Sequence, residues 1–392
     1  MDDRFEQARA HFFAGLARQQ AGDFAAAQCH YESSLGFVPG RVSTLINLAA
    51  VQLRLARPLD ALKNADAALA TEGDSADALL HRATALAQLG RPHEALAAFR
   101  RLLAIDPRHA AAWSGSGTLL REMDRSEEAA HAFREALRHG ADADLHGFYL
   151  ASVEPGRAAP AAPPPAYVAA LFDGYADDFD AHLVGQLRYQ AHHQLVDRLV
   201  ARAGGRYRSA LDLGCGTGLC GPLVRPMVER LSGVDVSARM LEKARALGVY
   251  DRLEQADIVD FLAEADEPYD LVLAADVFIY VGDLAPVFAR LQRAMARGVF
   301  CFSVEALEDD DDGAGFRLQS SLRYAHSMGC LLNLAHAHGF EVVAIERAPV
   351  REDQREVVEG LYVVLRRVGP GGAAVELPGR WKAPTSATRA TP

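Results

Sequence analysis

The hydrophobic and polar positions of this chain follow two different patterns. Over the first 150 residues, small and bulky apolar positions recur with a period of 34 residues and without a gap. Beyond residue 200, short apolar runs typical of buried strands alternate with helical segments. The first pattern indicates stacked helical hairpins, and the second indicates a sheet covered by helices. The predicted fold class is therefore α + α/β.

The 34-residue period can be followed position by position. Three kinds of residue recur in register: small residues that would let antiparallel helices approach, residues of the turns, and residues that fill the groove left by the next unit. These sets are Gly15, Ala49, Ala83 and Gly117; Gly22, Ala56, Gly90 and Asp124; Ala27, Ala61, Ala95 and Ala129; and Tyr31, Ala65, Phe99 and Phe133. Because one hairpin cannot bury its apolar face alone, four successive units predict a stack.

The period, the pair Trp113 and Gly117, and the stretch ALAAFRRLLAIDP at 95–107 resemble tetratricopeptide repeats. The resemblance implies four repeats and a capping helix over residues 1–153, in a curved stack whose concave face takes up a protein or peptide. The alternative is that the repeats only solubilise, dimerise or rigidify the protein. A Pro/Ala-rich linker is predicted over 154–165, since residues before proline avoid the helical region.

Composition narrows the function classes. The net charge of −11, with no basic cluster interleaved with aromatic residues, disfavours a nucleic-acid substrate. No charge-free apolar run reaches the roughly 18 residues of a membrane span, and the start lacks a basic signal sequence, so a cytosolic protein is expected. The five cysteines are scattered, without metal-ligand spacing, so no metal site is predicted.

A glycine-rich stretch, ALDLGCGTGLCG at 210–221, follows a predicted strand at 207–213 and precedes a predicted helix at 219–230. Bare backbone at Gly214, Gly216 and Gly218 would let a ligand press against the loop. Because Gly216-x-Gly218-x-x-Gly221 also fits the dinucleotide fingerprint, the loop alone leaves a nicotinamide dehydrogenase open.

Acidic residues at the ends of the next two predicted strands indicate which parts of a ligand this site would bind. Asp235 follows Gly214 by 21 residues and is placed to accept both hydroxyls of a ribose. Asp257 ends the third strand and suits an adenine amino group. A fourth strand, within 269–284, opens at Ala275.

This ordered series resembles class I S-adenosylmethionine-dependent methyltransferases. The resemblance implies a Rossmann-like domain over 166–368, with seven strands of which the last is antiparallel, and a mobile tail at 369–392. The implied cofactor is S-adenosylmethionine, with S-adenosylhomocysteine as product. The implied cofactor-binding residues are Tyr175, Asp212, Gly214, Cys215, Gly216, Gly218, Asp235, Val236, Met240, Asp257, Ile258 and Ala275.

Each of these residues has an implied role. The three glycines line the methionine and ribose, Asp212 orients the loop, and Asp235 binds the ribose. The adenine packs on Val236 and Met240 and meets Asp257 and Ile258 at its edge, while Ala275 faces the sulfonium. Tyr175, in a segment that lids the cofactor in similar methyltransferases, reaches the methionine end.

The methyl acceptor is predicted to meet residues from a segment that breaks the strand-helix rhythm, 303–332. Arg323, Tyr324, His326 and Ser327 are predicted at the start of a helix over the open face of the cofactor. Arg323 and His326 either stabilise that helix or clamp an acceptor. Arg323 would suit a carboxylate acceptor, whereas an acceptor that loses a proton would use His326, or else Tyr280 or Glu305, as its base.

The whole arrangement resembles bacterial fusions of tetratricopeptide repeats with methyltransferases of the ubiquinone and trans-aconitate type. Three functions follow as expectations. The first is methylation of a protein or peptide docked by the repeats, and the second is methylation of a small metabolite, such as one that bears a carboxylate, with the repeats used for assembly. The third is a cofactor-binding adaptor without turnover. The oligomeric state is left open.

Overall fold

The computed structural model describes residues 2–175, 190–264, 268–308, 313–353 and 356–367. The chain divides into two compact units. The first comprises Met1–Leu171, Ile279–Asp283 and Leu307–His326, and the second comprises Phe172–Phe278, Leu284–Ala306 and Ser327–Pro392. None of the described helices is both long and apolar enough to cross a membrane.

The first unit begins with helices paired as antiparallel hairpins. They are α1 (Asp2–Gln20), α2 (Phe24–Phe37), α3 (Val42–Arg54), α4 (Pro58–Thr71), α5 (Ala76–Gln88), α6 (Pro92–Ile105), α7 (Ala110–Glu122), α8 (Ser126–Arg138) and α9 (Ala143–Val153), followed by α10 (Pro165–Tyr175), which runs across the border of the two units. The predicted turn residues between the helices of each repeat all have positive φ, namely Gly22 (79°), Ala56 (54°), Gly90 (68°) and Asp124 (56°). The second helices begin at residues 24, 58, 92 and 126, with the 34-residue spacing of the sequence pattern.

Close packing explains why the small residues recur. A Cβ atom at Gly15 would lie 2.6 Å from the Tyr31 ring, and one at Gly117 would lie 2.6 Å from the Phe133 ring. The alanines at the equivalent position in each repeat are fully buried: Ala27, Ala61, Ala95 and Ala129. Each aromatic residue therefore occupies the space that its small partner leaves.

A second element of the repeat was missed at the sequence level. In the second, third and fourth repeats, the residue before the second helix is arginine, and its guanidinium binds the acid three residues later. The pairs are Arg57 with Asp60, Arg91 with Glu94, and Arg125 with Glu128. Because the pairs share the 34-residue spacing, they hold the start of each second helix in the same way.

Two later segments, Ile279–Asp283 and Leu307–His326, complete the first unit. The second of them contains strands β6 (Phe316–Leu318) and β7 (Tyr324–His326), which form an antiparallel hairpin. Its Leu318, Leu322 and Tyr324 pack with Phe148 and Ala151 of α9.

Polar bonds fix the same hairpin to the helices. The Arg121 guanidinium of α7 donates to the Ser320 carbonyl, and the Tyr324 hydroxyl donates to the Pro160 carbonyl at 2.8 Å. The amides of Gly282 and Asp283 both donate to the Ala161 carbonyl. The residues predicted as a linker, 154–165, therefore lie within this unit.

In the second unit, the described residues form seven strands in the order β3-β2-β1-β4-β5-β9-β8. Strands β1 to β5 are parallel, whereas β9 is antiparallel to both β5 and β8. The predicted Rossmann-like fold with an antiparallel last strand is confirmed. The strands are β1 (Tyr207–Leu213), β2 (Val228–Asp235), β3 (Arg252–Gln255), β4 (Leu271–Ala274), β5 (Gly298–Ala306), β8 (Phe340–Asp353) and β9 (Glu356–Arg367).

Helices cover this sheet and share its apolar core. Leu195 and Leu199 are buried residues of α11. They share one apolar cluster with Ala210, Leu231 and Leu273 of the sheet. The helices are α11 (Ala191–Ala203), α12 (Gly221–Val224), α13 (Ala238–Ala246), α14 (Ile258–Ala263), α15 (Ala285–Ala294) and α16 (Met328–Ala337).

Two predicted helices differ from the structure. The helix expected at 219–230 is only α12, because Pro222 and Pro226 allow one short turn and a 3-10 turn before β2 begins at Val228. The helix expected to include Arg323 and His326 begins instead at Met328. Ser327 caps it by accepting a bond from the Cys330 amide at 3.2 Å, and Tyr324–His326 is a strand.

Candidate cofactor-binding site

The glycine loop lies at the carboxyl end of β1 and combines tight packing with open space. All three loop glycines have positive φ: 60° at Gly214, 55° at Gly216 and 92° at Gly218. A Cβ atom at Gly214 would lie 2.6 Å from Val277. At Gly216, no atom of the described residues lies within 4 Å of that position. Gly216 therefore presents bare backbone to a space that a ligand can enter.

Asp235 is fixed against this loop by backbone hydrogen bonds. Its Oδ2 accepts a bond from the Gly216 amide at 2.9 Å, and its Oδ1 accepts one from the Ser237 amide at 2.9 Å. These two bonds fix the orientation of the carboxylate against the loop. The structure thus joins two predicted site residues, the loop glycine and the acid of β2.

Tyr250, in the connection between α13 and β3, supports the loop, and the sequence analysis did not predict this role. Its hydroxyl donates to Asp212 Oδ2 at 2.7 Å. Its ring lies within about 3 Å of the positions that Cβ atoms would take at Gly218, Gly221 and Gly233. Bare backbone at these glycines therefore makes room for the tyrosine.

Asp212 is buried beneath the loop, and this burial raises its pKa to about 7, although the Tyr250 hydrogen bond opposes the shift. Cys215 is also buried, and burial raises the pKa of its thiol. Its amide donates to the Val234 carbonyl at 3.0 Å, and its sulfur lies against Gly233. Both residues hold the loop on β1 and β2.

The predicted adenine-binding residues lie after β2 and β3. Asp257 is exposed and caps α14, with Oδ1 accepting bonds from the Val259 and Asp260 amides. Ile258 and Met240 are buried, and Val236 is half-buried. Ala275 follows β4 and is half-buried. The Tyr175 side chain lies outside the described residues.

A buried ionic cluster lies at the carboxyl ends of β4 and β5. Arg351 of β8 binds Glu305 of β5 with Nη2, and its Nη1 lies 3.3 Å from Asp276 Oδ2. The side chains of Arg351 and Glu305 are 2% and 4% exposed, and that of Asp276 is 11% exposed. The arginine had no sequence signal, because it stands more than 40 residues from either partner.

This cluster bears on the predicted role of Glu305. A carboxylate that is buried and bound to a guanidinium is stabilised in its charged form. The Glu305 carboxylate is thus engaged by Arg351, and its use as a general base stays a prediction.

The three residues predicted to be catalytic all belong to the first unit. Tyr280 ends a 3-10 turn and is half-buried. Arg323 is half-buried and lies in the hairpin, where its carbonyl accepts a bond from the Gln319 amide at 2.9 Å. The residues predicted to bind the cofactor belong to the second unit.

His326 is fully buried in β7. Its Nε2 donates to the Gly282 carbonyl at 3.0 Å, and among the described residues its Nδ1 has no hydrogen-bond partner. Burial lowers its pKa to about 4, although the bond to Gly282 opposes the shift. This environment does not fit the predicted general base, which needs access to the acceptor and a pKa near the working pH.

The loop and its acids fit a nucleoside cofactor. The Asp235 carboxylate, which is held by two backbone amides, lies beside Gly216, whose side-chain position is open. Ribose hydroxyls are the donors that such a carboxylate binds at the carboxyl edge of a parallel sheet.

Comparisons with known proteins agree with both units. A family model described as a methyltransferase domain matches residues 210–298, and one described as a tetratricopeptide repeat matches residues 76–119.

Two curated relatives are similar over part of the chain. Human methyltransferase-like protein 27 is 43% identical over 86 residues, which cover 21% of this chain and 35% of that protein. Trans-aconitate 2-methyltransferase of Rhizobium etli is 36% identical over 93 residues, which cover 23% of this chain and 36% of that protein. The chain thus spans about a third of the length of these relatives.

Among solved structures, magnesium protoporphyrin IX methyltransferase from Synechocystis PCC 6803 with bound S-adenosylmethionine is 17% identical, with a TM-score of 0.41. The similarity covers 52% of this chain and 97% of that chain. The chain therefore contains a stretch that matches a methyltransferase domain and another that matches a tetratricopeptide repeat.

Proposed function

We propose that the chain transfers a methyl group from S-adenosylmethionine to a protein or peptide acceptor docked by the repeats. The observation that carries the cofactor assignment is the pairing of Asp235 with Gly216 beside open space. In this proposal Asp235 binds the ribose hydroxyls, and Gly214, Gly216 and Gly218 line the ribose and methionine.

The other proposed cofactor contacts are with the adenine, the sulfonium and the methionine end. Adenine lies between Val236 and Met240, with Asp257 and Ile258 at its edge, and Ala275 faces the sulfonium. Tyr175 is retained as a proposed contact at the methionine end. Asp212 and Cys215 act indirectly, because both are buried and hold the loop in place.

When bound, S-adenosylmethionine supplies an electrophilic methyl group on a positively charged sulfur. The task of the chain is to hold acceptor and methyl group in line, which accounts for roughly 7 to 11 kcal/mol of catalysis in well-oriented reactions. Arg323 and Tyr280 stay candidate acceptor contacts. His326 is a positioning residue, since its ring holds the Gly282 carbonyl within the first unit.

A cleft on the repeats supports the protein acceptor. It has a volume of about 620 Å³ and is formed by helices α6, α7 and α8. Its apolar floor includes Leu103, Trp113 and Leu120, and its polar lining includes Glu127 and His131. Apolar anchoring combined with a few polar groups is typical of ligand-binding clefts.

Tethered docking explains why such a cleft would share a chain with a methyltransferase. A bound acceptor is held at a high effective concentration near the catalytic domain, without any new contact at the reacting atoms.

The test incubates the full chain with methyl-labelled S-adenosylmethionine and fractionated lysate. Label should enter protein, and the variant Glu127→Arg combined with His131→Ala should lose most of this label while S-adenosylmethionine affinity is unchanged. The matched control is Glu32→Arg, at an exposed position of α2, and this variant should label protein as the wild type does. Label that is equal in all three proteins would exclude the cleft as the acceptor site.

The second candidate is methylation of a small carboxylate-bearing metabolite. Its support is the trans-aconitate methyltransferase among the similar proteins. Label found in the small-molecule fraction, and unaffected by the cleft variant, would establish this candidate instead. Label in either fraction would exclude an adaptor without turnover.

A further inference from the structure

Two histidines face each other between the two helices of the first repeat. His11 lies in α1 and His30 lies in α2, and their Nδ1 atoms are 3.2 Å apart. Their ring centroids are 5.4 Å apart, so the rings approach each other through the edges that carry Nδ1. Both side chains are half-buried, and water can therefore reach the pair.

Contacts within the same hairpin fix the two helices and one of the rings. One helical turn from the histidines, Ser34 Oγ donates to the Ala8 carbonyl at 2.7 Å, and both of these residues are fully buried. The Phe37 ring stacks on the His11 ring, with centroids 5.7 Å apart and planes inclined by 23°. Packing therefore orders this part of the hairpin before a ligand arrives, as a precise binding site requires.

The distance between the two nitrogens is that of two ligands on one metal ion. Zn²⁺ binds imidazole nitrogens at about 2.0–2.1 Å. Two nitrogens 3.2 Å apart would then subtend an angle of about 100° at the ion, which is near the tetrahedral angle that Zn²⁺ favours. Imidazole is also a ligand that suits Cu²⁺ and Ni²⁺. The geometry of the pair therefore matches a divalent transition-metal ion.

From this geometry we propose that His11 and His30 together bind one divalent transition-metal ion, such as Zn²⁺, between α1 and α2. In the described part of the chain, no group of three or more histidine, cysteine, aspartate or glutamate side chains could hold a metal ion. Water molecules therefore fill the remaining coordination positions. The bound ion fastens the two helices of the first repeat to each other.

Metal binding replaces the contact that the two neutral rings make with each other. Without an ion, one ring donates its Nδ1 proton to the Nδ1 lone pair of the other ring. An ion needs both lone pairs, so this proton moves through water to Nε2 of the same ring. Two coordinate bonds form while two water molecules leave the ion, and the charge of the rings does not change. Because the pair is assembled only in the folded hairpin, the ion stabilises the folded state.

Calorimetric titration of the untagged full chain with Zn²⁺ tests the site. The wild type should bind one equivalent, and either His11→Gln or His30→Gln alone should weaken this binding at least about tenfold, since each variant removes one of two ligands. Zn²⁺ should also raise the thermal unfolding temperature of the wild type, but not that of either variant. Circular dichroism checks that both variants keep the helices.

Two control variants separate the histidine pair from a single histidine and from a thiol. His93→Gln removes an exposed histidine of α6. Cys29→Ser removes the exposed thiol that precedes His30, although adjacent positions on a helix do not share a face. Both controls should bind Zn²⁺ as the wild type does.

Three results would overturn the inference. The first is a wild type that binds no Zn²⁺, and the second is equal binding by the wild type, His11→Gln and His30→Gln. The third is loss of binding in Cys29→Ser, which would assign the ion to a thiol site instead of the histidine pair.

Discussion

The Tyr250 hydroxyl lies 2.7 Å from Asp212 Oδ2 beneath the glycine loop, and this bond joins a half-buried tyrosine to a buried aspartate 38 residues away. We expect Tyr250→Phe to lower the free energy of unfolding by about 1–3 kcal/mol, because Asp212 loses its partner in a buried site. Urea unfolding measures the change.

The matched control for that variant is Tyr149→Phe. Among the described residues, the Tyr149 hydroxyl donates no hydrogen bond, and its ring packs on Phe133 and Tyr167. Its effect should stay within about 0.5 kcal/mol. Equal effects of both substitutions would show that the bond to Asp212 does not stabilise the fold.

The raised pKa of Asp212 predicts a pH effect on stability. In the unfolded chain this carboxyl loses its proton near pH 4, as aspartates ordinarily do, whereas in the folded chain its pKa is about 7. Between these values the folded state binds more protons, so stability falls as pH rises. Asp212→Asn should show a smaller fall from pH 4.5 to 7 in thermal unfolding. Parallel curves for both proteins would contradict the assignment.

We expect Gly216 to serve ligand binding and Gly218 to serve packing of the loop. Gly216→Ala places a methyl group in open space, so it should cost only about 1 kcal/mol of stability while strongly weakening S-adenosylmethionine binding. Gly218→Ala would collide with Leu247 at 2.8 Å and Tyr250 at 3.0 Å, so it should destabilise the fold more. Thermal unfolding and calorimetry of both variants separate the two effects. The reverse order would show that Gly216 serves packing rather than binding.

His326 predicts acid sensitivity of the first unit. Its folded pKa of about 4 lies below the ordinary value near 6.5, so the unfolded chain binds more protons between them. Stability contributed here is present above pH 6.5 and lost as pH falls toward 4. His326→Gln, whose amide can still donate to the Gly282 carbonyl, should lose less stability between pH 7 and 5 in urea unfolding. A wild-type protein equally stable at both values would exclude this effect.

The repeats could be predicted residue by residue because their packing is local and periodic. Each contact, such as Gly15 with Tyr31, joins neighbouring helices, so the 34-residue spacing contains it. The roles of the glycine loop and Asp235 could also be predicted from the sequence, because the carboxyl ends of neighbouring parallel strands lie together at one edge of the sheet.

Other parts of the site depend on pairing that the sequence pattern does not contain. Arg351 reaches Asp276 only through a bulge in β8, and Tyr250 reaches Asp212 only after β2 has paired with β1 and β3 with β2. The hairpin of His326 was predicted as a helix because its polar residues adjoin the true start of α16.

The first unit also imposes an order of events during synthesis. The apolar face of α9 that carries Phe148 and Ala151 is covered by Leu318 and Leu322, which leave the ribosome roughly 170 residues later. At bacterial or eukaryotic elongation speeds this interval lasts roughly 10 to 30 seconds. During that time Phe148 and Ala151 lack the residues that cover them in the finished fold, so the completed first unit forms only after most of the chain has been made.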